Sequence, residues 1–268
     1  VVVVHYAGVA CEMDRIQEIC KSRNLVLVED AAHALGGSYK GKPLGSIGAV
    51  NAFSFHETKN LSNGEGGAFS TPSPELFARA EIIREKGTNR SQFFRGQVDK
   101  YRWVDLGSSF LPSEFQSAVL WSQLEKYDEI QGKRMHVFEL YDQLLSELEM
   151  KEYLRRPIIP AEAKHPAHLY YILLQDLDER TRLMSYLKEQ GISSFFHYVP
   201  LHSAPAGRKF TREGSSLNNT DRLSESLLRL PLWAGLSDEQ IYYVVEKINK
   251  FFAAEGKKSN AAVKAAIN

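Results

Sequence analysis

The chain reads as an α/β protein: a doubly wound, mostly parallel sheet, followed by a smaller α+β unit. Three observations predict this. Largely apolar runs at Val1–Val4, Leu25–Val28 and Ala49–Phe55 alternate with stretches of helical spacing. Such runs suit strands buried on both faces, with helices as crossovers. After Pro157 and Pro160 the pattern changes to strand, helix and strand, then two helices.

The elements follow in order. Val1 to Val4 is a β-branched strand. Met13, Ile16, Ile19 and Cys20 make one helical stripe over Met13–Ser22, which Asn24 ends, and strands are expected at Leu25–Val28 and Ala49–Phe55. Pro72, Ser73 and Pro74 open a helix running to Lys86. The polar and aromatic stretch Gly87–Gly107 is irregular, and loops of that length inside a compact protein are usually functional or disordered. A long helical stretch from Ser113 to Met150 should bend near Gly132. Beyond it come a strand at His168–Leu174, a helix at Glu179–Gln190 and a strand at Ser193–Tyr198. Helices are expected at Asp221–Arg229 and Asp238–Phe252. The expected division is 1–125 as part of a large domain, 126–252 as connecting helix and small domain, and 253–268 as a disordered tail.

Composition narrows the function. The 268 residues are 43% hydrophobic, enough for a sizeable core. Lys plus Arg equals Asp plus Glu at 33 each, so no global field favours nucleic acid or an anionic membrane. Cys11 and Cys20 fit no zinc spacing, and no metal is expected. The opening valines are too few to span a bilayer, so a soluble cytoplasmic protein is expected. With no initiator Met and a buried strand at once, the sequence is expected to begin inside a domain, leaving the sheet incomplete at its N-terminus.

Asp30 and Lys59 carry the chemical argument. The apolar run Leu25–Val28 leads into Glu29-Asp30-Ala31-Ala32-His33, and ligands of open parallel sheets bind at the carboxyl ends of strands. A carboxylate there can pair with a cationic ring nitrogen. At about 3 Å and an effective dielectric near 20 that pair is worth roughly 5 kcal/mol before desolvation. Alternatively, Asp30 caps the next helix. Lys59 follows the next buried strand, in Ser54-Phe55-His56-Glu57-Thr58-Lys59-Asn60. An amine that attacks an aldehyde must be unprotonated, which partial burial at a strand end favours. Gly64, Gly66 and Gly67 would let the backbone turn tightly beneath a ring. A lone loop lysine is ordinarily just solvated; an acid at one strand end, a lysine at the next and Ser54 between them point to a cofactor.

These motifs, Glu29-Asp30-Ala31-Ala32-His33, Ser54-Phe55-His56-x-x-Lys59 and Gly64-Glu65-Gly66-Gly67, resemble the DegT/DnrJ/EryC1/StrS sugar aminotransferases. The likeness runs from Val1 to about Phe252. It implies a fold type I enzyme dependent on pyridoxal 5'-phosphate (PLP), in which Lys59 carries the cofactor as a Schiff base and shuttles protons. Asp30 would pair with the pyridine nitrogen, His33 lie beside the ring near its phenolic oxygen, and Ser54 bond the phosphate. A branch of the family with His in place of the lysine dehydrates sugars, so Lys59 argues for transamination. The segments His5–Asp14 and Arg84–Tyr101 resemble the subgroup of dTDP-4-amino-4,6-dideoxygalactose transaminases of enterobacterial common antigen synthesis. That implies glutamate as amino donor and a dTDP-4-keto-6-deoxyhexose as acceptor. A homodimer with shared active sites is implied as well.

Two departures stand out. Many relatives have Asn where Ser109 stands, reaching the phosphate from the neighbouring subunit; a hydroxyl donates only one bond there. The family's Gly-Ser/Thr phosphate turn is expected before Val1. In the second half, Phe196-His197-Tyr198-Val199-Pro200-Leu201-His202 resembles the sugar-facing motif of the small domain, with His197 and Tyr198 as candidate substrate contacts and His202 as structural. His197 could instead be a strand-end histidine packed on Tyr198. Arg90 and Arg95, amid Lys100, Arg102, Phe93, Phe94, Tyr101 and Trp103, suit a nucleotide diphosphate and base, or else form a solvated dimer edge. Two alternatives stay open: another keto-sugar nucleotide or a 3-keto position, and a non-catalytic binding or scaffold protein on this fold.

Overall fold

The computed structural model describes residues 1–210 and 216–256. The chain divides into two compact units. The first joins Val1–Gln131 with Ile159–His168; the second joins Gly132–Ile158 with the described residues from Leu169 on. The division therefore lies some residues beyond the expected one at 125, and a short later segment returns to the first unit.

The first unit is built on a sheet of order β1 (Val2–Val4), β2 (Val28–Asp30), β5 (Val50–Ser54), β6 (Gly67–Ser70). The β1–β2 and β2–β5 pairs are parallel and β5–β6 is antiparallel, so the sheet is mostly parallel as expected. Helix α1 spans Met13–Ser22, and its apolar stripe covers β1, with Val3, Met13, Cys20 and Leu27 packed together. Strand β2 starts three residues later than its apolar run suggests. Val28 is the residue that faces both Val2 and Val50, so pairing on two sides begins there, while Leu25 and Val26 lie outside the ladder and exposed. The shift puts Asp30 inside the sheet, between Val4 and Ala52.

Sequence reading missed the second strand of the β5–β6 hairpin. Glycine is needed where the chain turns into it: a Cβ on Gly66 would sit 2.4 Å from the Asn63 side chain, and one on Gly67 2.8 Å from the Phe53 carbonyl. A ribbon of β3 (Ser38–Tyr39), β4 (Lys42–Pro43) and β7 (Ala163–Lys164) draws residues 159–168 back to this unit. Helix α2 covers Pro74–Arg84, capped by the Ser73 hydroxyl, and a short helix α3 (Arg90–Phe94) lies within the stretch read as irregular.

The long helix is three: α4 (Glu114–Leu124), α5 (Tyr127–Leu144) and α6 (Ser146–Met150). The break falls at Glu125–Lys126, and Gly132 sits uninterrupted within α5. A helical glycine costs about 1 kcal/mol but leaves the i→i−4 bonding intact. The first residue of α5 has a tertiary anchor instead. The Tyr127 hydroxyl fills the space a side chain would need at Gly36, where φ is +84°.

The second unit carries an antiparallel sheet of order β8 (Tyr170–Leu173), β10 (Leu227–Leu230), β9 (Phe195–Phe196). Helices α7 (Leu177–Glu189) and α9 (Asp238–Ala254) supply its core with Leu183, Leu187, Ile241, Val244, Ile248 and Phe252. The helix expected at Asp221–Arg229 is instead α8 (Asn218–Ser226), and Leu227–Leu230 forms the central strand. Leu228 and Leu230 alternate into the core there, a period of two that a four-residue run barely displays. Ala253 and Ala254 close α9, and most of the tail, residues 257–268, lies outside the described residues.

Candidate active site

Asp30 ends β2 at the carboxyl edge of the sheet, flanked by β1 and β5. One carboxylate oxygen, Oδ1, accepts from the Ala32 amide at 3.0 Å; turns rather than a helix follow Asp30, so it closes a turn and the helix cap read as the alternative does not form. The neighbouring side chain on the opposite face, Glu29, is wholly buried. It accepts from His5 Nε2 at 2.8 Å and from the amides of Gly45, Ile47 and Gly48 at 2.9, 2.6 and 2.6 Å. Burial favours the neutral form of Glu29, yet these donors hold its carboxyl below the usual range. Burial likewise opposes charge on His5, but hydrogen bonds to Cys11 and Glu29 outweigh it and push the imidazole up to about 9. On the other ring nitrogen, Nδ1, His5 accepts from the Cys11 amide at 3.3 Å. This buried pair ties the ends of β1 and β2 together directly behind Asp30.

Lys59 sits in the turn after β5, its amide donating to the His56 carbonyl at 2.9 Å. Burial depresses its ammonium below the ordinary lysine range, and the Asp30 carboxylate pulls the other way. The two groups are therefore electrostatic neighbours. Lys59 shares a small cavity of about 10 Å³ with His33, Ser54, Asn60 and His168. That volume holds about one water, so these side chains form one contiguous cluster. The Ser54 hydroxyl accepts from the His56 amide at 3.3 Å, which leaves its hydrogen for another acceptor. His33 accepts from the Ala7 amide at Nδ1, at 3.3 Å. Its neutral ring therefore carries the proton on Nε2, as a donor.

His168, read only as the start of a strand, stacks on His33 with ring centroids 4.1 Å apart. Asn60 bridges to it as well, with Oδ1 2.9 Å from His168 Nδ1 and Nδ2 2.7 Å from the Pro166 carbonyl. Neither residue stands out in the sequence as a site candidate. The one signal was a polar histidine opening an otherwise buried apolar strand.

An amine kept below its usual pKa, a carboxylate beside it, a hydroxyl with a hydrogen to donate and an imidazole donor all meet at one strand edge. That donor set fits PLP: carboxylate for the pyridine nitrogen, amine for the aldehyde, hydroxyl for the phosphate.

The other candidates lie elsewhere. Ser109 forms an isolated antiparallel bridge with Glu85 and lines a separate cleft of about 320 Å³ in the first unit, with Asn63, Gln116 and Trp121. Arg90 is held by Glu85 at 2.9 Å and lies over the Phe94 ring. Arg95 makes a two-pronged pair with Glu81 at 2.8 and 2.6 Å. Each of these guanidinium groups thus has a carboxylate partner within its own unit. In the second unit His197 is buried, edge-on to Tyr198 at 4.7 Å, and burial, with Arg229 adding to it, lowers its imidazole to about 4. Both line a cavity of about 590 Å³ with Arg180, Phe196 and Asp221. His202 pairs with Asp221 at 2.9 Å, a structural contact.

Residues 1–249 match the model of the DegT/DnrJ/EryC1/StrS aminotransferase family. The chain belongs to that family. Its aminotransferases are PLP-dependent. Among curated relatives, the uncharacterized protein MJ1066 of Methanocaldococcus jannaschii is 34% identical over 93% of this chain and 66% of its own length. GDP-perosamine synthase of Escherichia coli O157:H7 is 29% identical over 93% of this chain and 65% of its own. Among solved structures, the aminotransferase TlmJ of Streptoalloteichus hindustanus is similar at 30% identity and a TM-score of 0.84, over 96% of this chain and 66% of that one. The chain thus spans about two thirds of the length of these relatives. Among the described residues no group of side chains could hold a metal ion, and no helix is long and apolar enough to cross a membrane.

Proposed function

We propose that the protein transfers an amino group to a keto-sugar nucleotide, with PLP held at Lys59. The observation that carries this is Lys59: a half-buried amine of lowered pKa, in electrostatic reach of Asp30, at the carboxyl ends of adjacent parallel strands. When bound, PLP supplies an electron sink for the carbon that gains or loses nitrogen. The chain's own groups do the rest. Asp30 would keep the ring nitrogen protonated, Ser54 would donate to the phosphate and His33 would donate its Nε2 hydrogen to the phenolic oxygen. Lys59 would hold the cofactor's aldehyde carbon and, as a neutral amine, would carry the proton at the reacting carbon. Its lowered pKa leaves a larger neutral fraction at working pH, as a base requires.

The finer assignment is a dTDP-4-keto-6-deoxyhexose acceptor with glutamate as donor, following the likeness of His5–Asp14 and Arg84–Tyr101 to that subgroup. A similar protein bears the name GDP-perosamine synthase, so another nucleotide is the closest rival. Ser109 reaching a neighbouring subunit's phosphate, with the protein a homodimer, agrees with its place outside the Lys59 cluster. His197 and Tyr198 are proposed to meet the sugar.

The parent protein should develop the visible absorbance band of bound PLP, and Lys59→Ala should lose the band. In Lys59→Ala turnover should drop at least about 10²- to 10⁴-fold, the usual worth of a positioned base. Incubation with glutamate and dTDP-4-keto-6-deoxyglucose should give a 4-amino sugar by NMR. A 3-amino product would discard the regiochemistry, and a parent protein that takes up no PLP would favour the scaffold alternative.

A further inference from the structure

We infer that His168 is a positioning residue for the Lys59 site, one that fixes the ring of His33 and the turn bearing Lys59 at once; the inference rests on the PLP reading above. The hydrogen-bond chain sets its tautomer. The Pro166 carbonyl can only accept, so the Asn60 amide must present Nδ2 to it at 2.7 Å and turn Oδ1 towards His168. Oδ1 also can only accept, so His168 Nδ1 carries the hydrogen of the 2.9 Å bond. One edge of His168 thereby grips the residue next to Lys59. Its face holds His33, at 4.1 Å between centroids and 22° between planes. His33 is pinned from the other side by the Ala7 amide on Nδ1 and by the edge of Tyr6.

The backbone on both sides of the stack is strained. Ala7 and Ala167 are buried and take left-handed conformations, with φ of +56° and +46°. For a residue with a Cβ this conformation is sterically disfavoured. The surrounding fold over-determines both, and such outliers gather where a side chain must be aimed. One presents its amide to His33, and the other immediately precedes His168. Residues 159–168 return to the first unit through β7, and His168 is the last residue of that segment.

Three variants separate the two links. His168→Phe keeps the stacked ring and loses the hydrogen bond, His168→Gln keeps a donor and loses the stack, and His168→Ala loses both. PLP affinity should fall about tenfold or more in His168→Ala and less in the other two. The midpoint of unfolding without cofactor should stay near the parent value in His168→Phe, which tells positioning from support of the fold. Independently of PLP, ¹⁵N NMR of the cofactor-free parent should show His168 with its proton on Nδ1 and His33 with its proton on Nε2. In His168→Phe and His168→Ala the Asn60 side-chain amide signals should shift, and in His168→Ala the His33 signals should become an average of tautomers. Unaltered His33 and Asn60 signals in His168→Ala, or a parent His168 protonated on Nε2, would overturn the inference whether or not PLP binds. A parent with the expected NMR signature but no PLP uptake would fail the functional reading alone and uphold the positioning.

Discussion

Lys59 is in tension with its surroundings, since burial disfavours the charge that an ordinary lysine keeps. The sign of the consequence follows. Between its lowered folded value and the usual value near ~10.4, the unfolded chain binds a proton that the folded chain releases, so folding stability rises with pH across that window. Lys59→Met removes the ionisation. Without cofactor it should be more stable than the parent at neutral pH, with the gap closing as pH climbs towards ~10.4. Denaturant midpoints across that range measure it, and two parallel curves would contradict it. The lysine is then a residue whose chemistry works against stability. Lys59, Asp30 and Ser54 were legible in the sequence because each is a reactive or polar type at the end of an apolar run. Glu29 and His5 were not, since a buried ion pair looks like two surface residues until the strands that join them are paired. His168 was hidden for the same reason, its partners being 108 and 135 positions away, as Asn60 and His33 are.

At the scale of elements, three parallel strand ends and one returning segment build the site, and a glycine marks where they touch. Gly8 has φ +81°, and a Cβ there would lie 2.4 Å from the Pro166 ring and 2.6 Å from the His33 carbonyl. Gly8→Ala must therefore displace either the segment carrying His168 or the turn carrying His33. We expect a loss of about 1–3 kcal/mol in unfolding free energy, from overpacking and backbone strain together. PLP affinity should fall beyond what stability explains, and a variant that binds PLP like the parent would show the contact to be incidental. The helices α1, α2 and α9 followed their sequence patterns closely, because each carries a long apolar face or a clear cap. Strand β10 did not, because four residues cannot distinguish periods of two and 3.6. The break before α5 escaped too: Tyr127 against Gly36 is a tertiary choice, invisible where two helix-compatible stretches meet.

At the scale of the whole molecule, the balance of charges leaves association to apolar surface. Residues 103–124 of the first unit expose Trp103, Leu106, Phe110, Phe115 and Trp121, with Phe115 86% and Trp121 65% accessible. A single exposed leucine needs no explanation, but aromatic residues repeated along one segment mark an interaction surface. The cleft lined by Trp121 also contains Ser109, the residue expected to serve a second copy's cofactor phosphate. The homodimer proposed above would seat a second copy of this chain on this surface. Trp121→Glu places a charge where burial would leave it unpaired, so the dimer should weaken by about 2 kcal/mol or more, roughly thirtyfold in its dissociation constant. Sedimentation at micromolar concentration should show dimer for the parent and monomer for the variant. Turnover should fall with the dimer fraction, since each Lys59 would lose the neighbouring Ser109. A parent that sediments as monomer yet turns over fully would show that Ser109 plays no part across a subunit boundary.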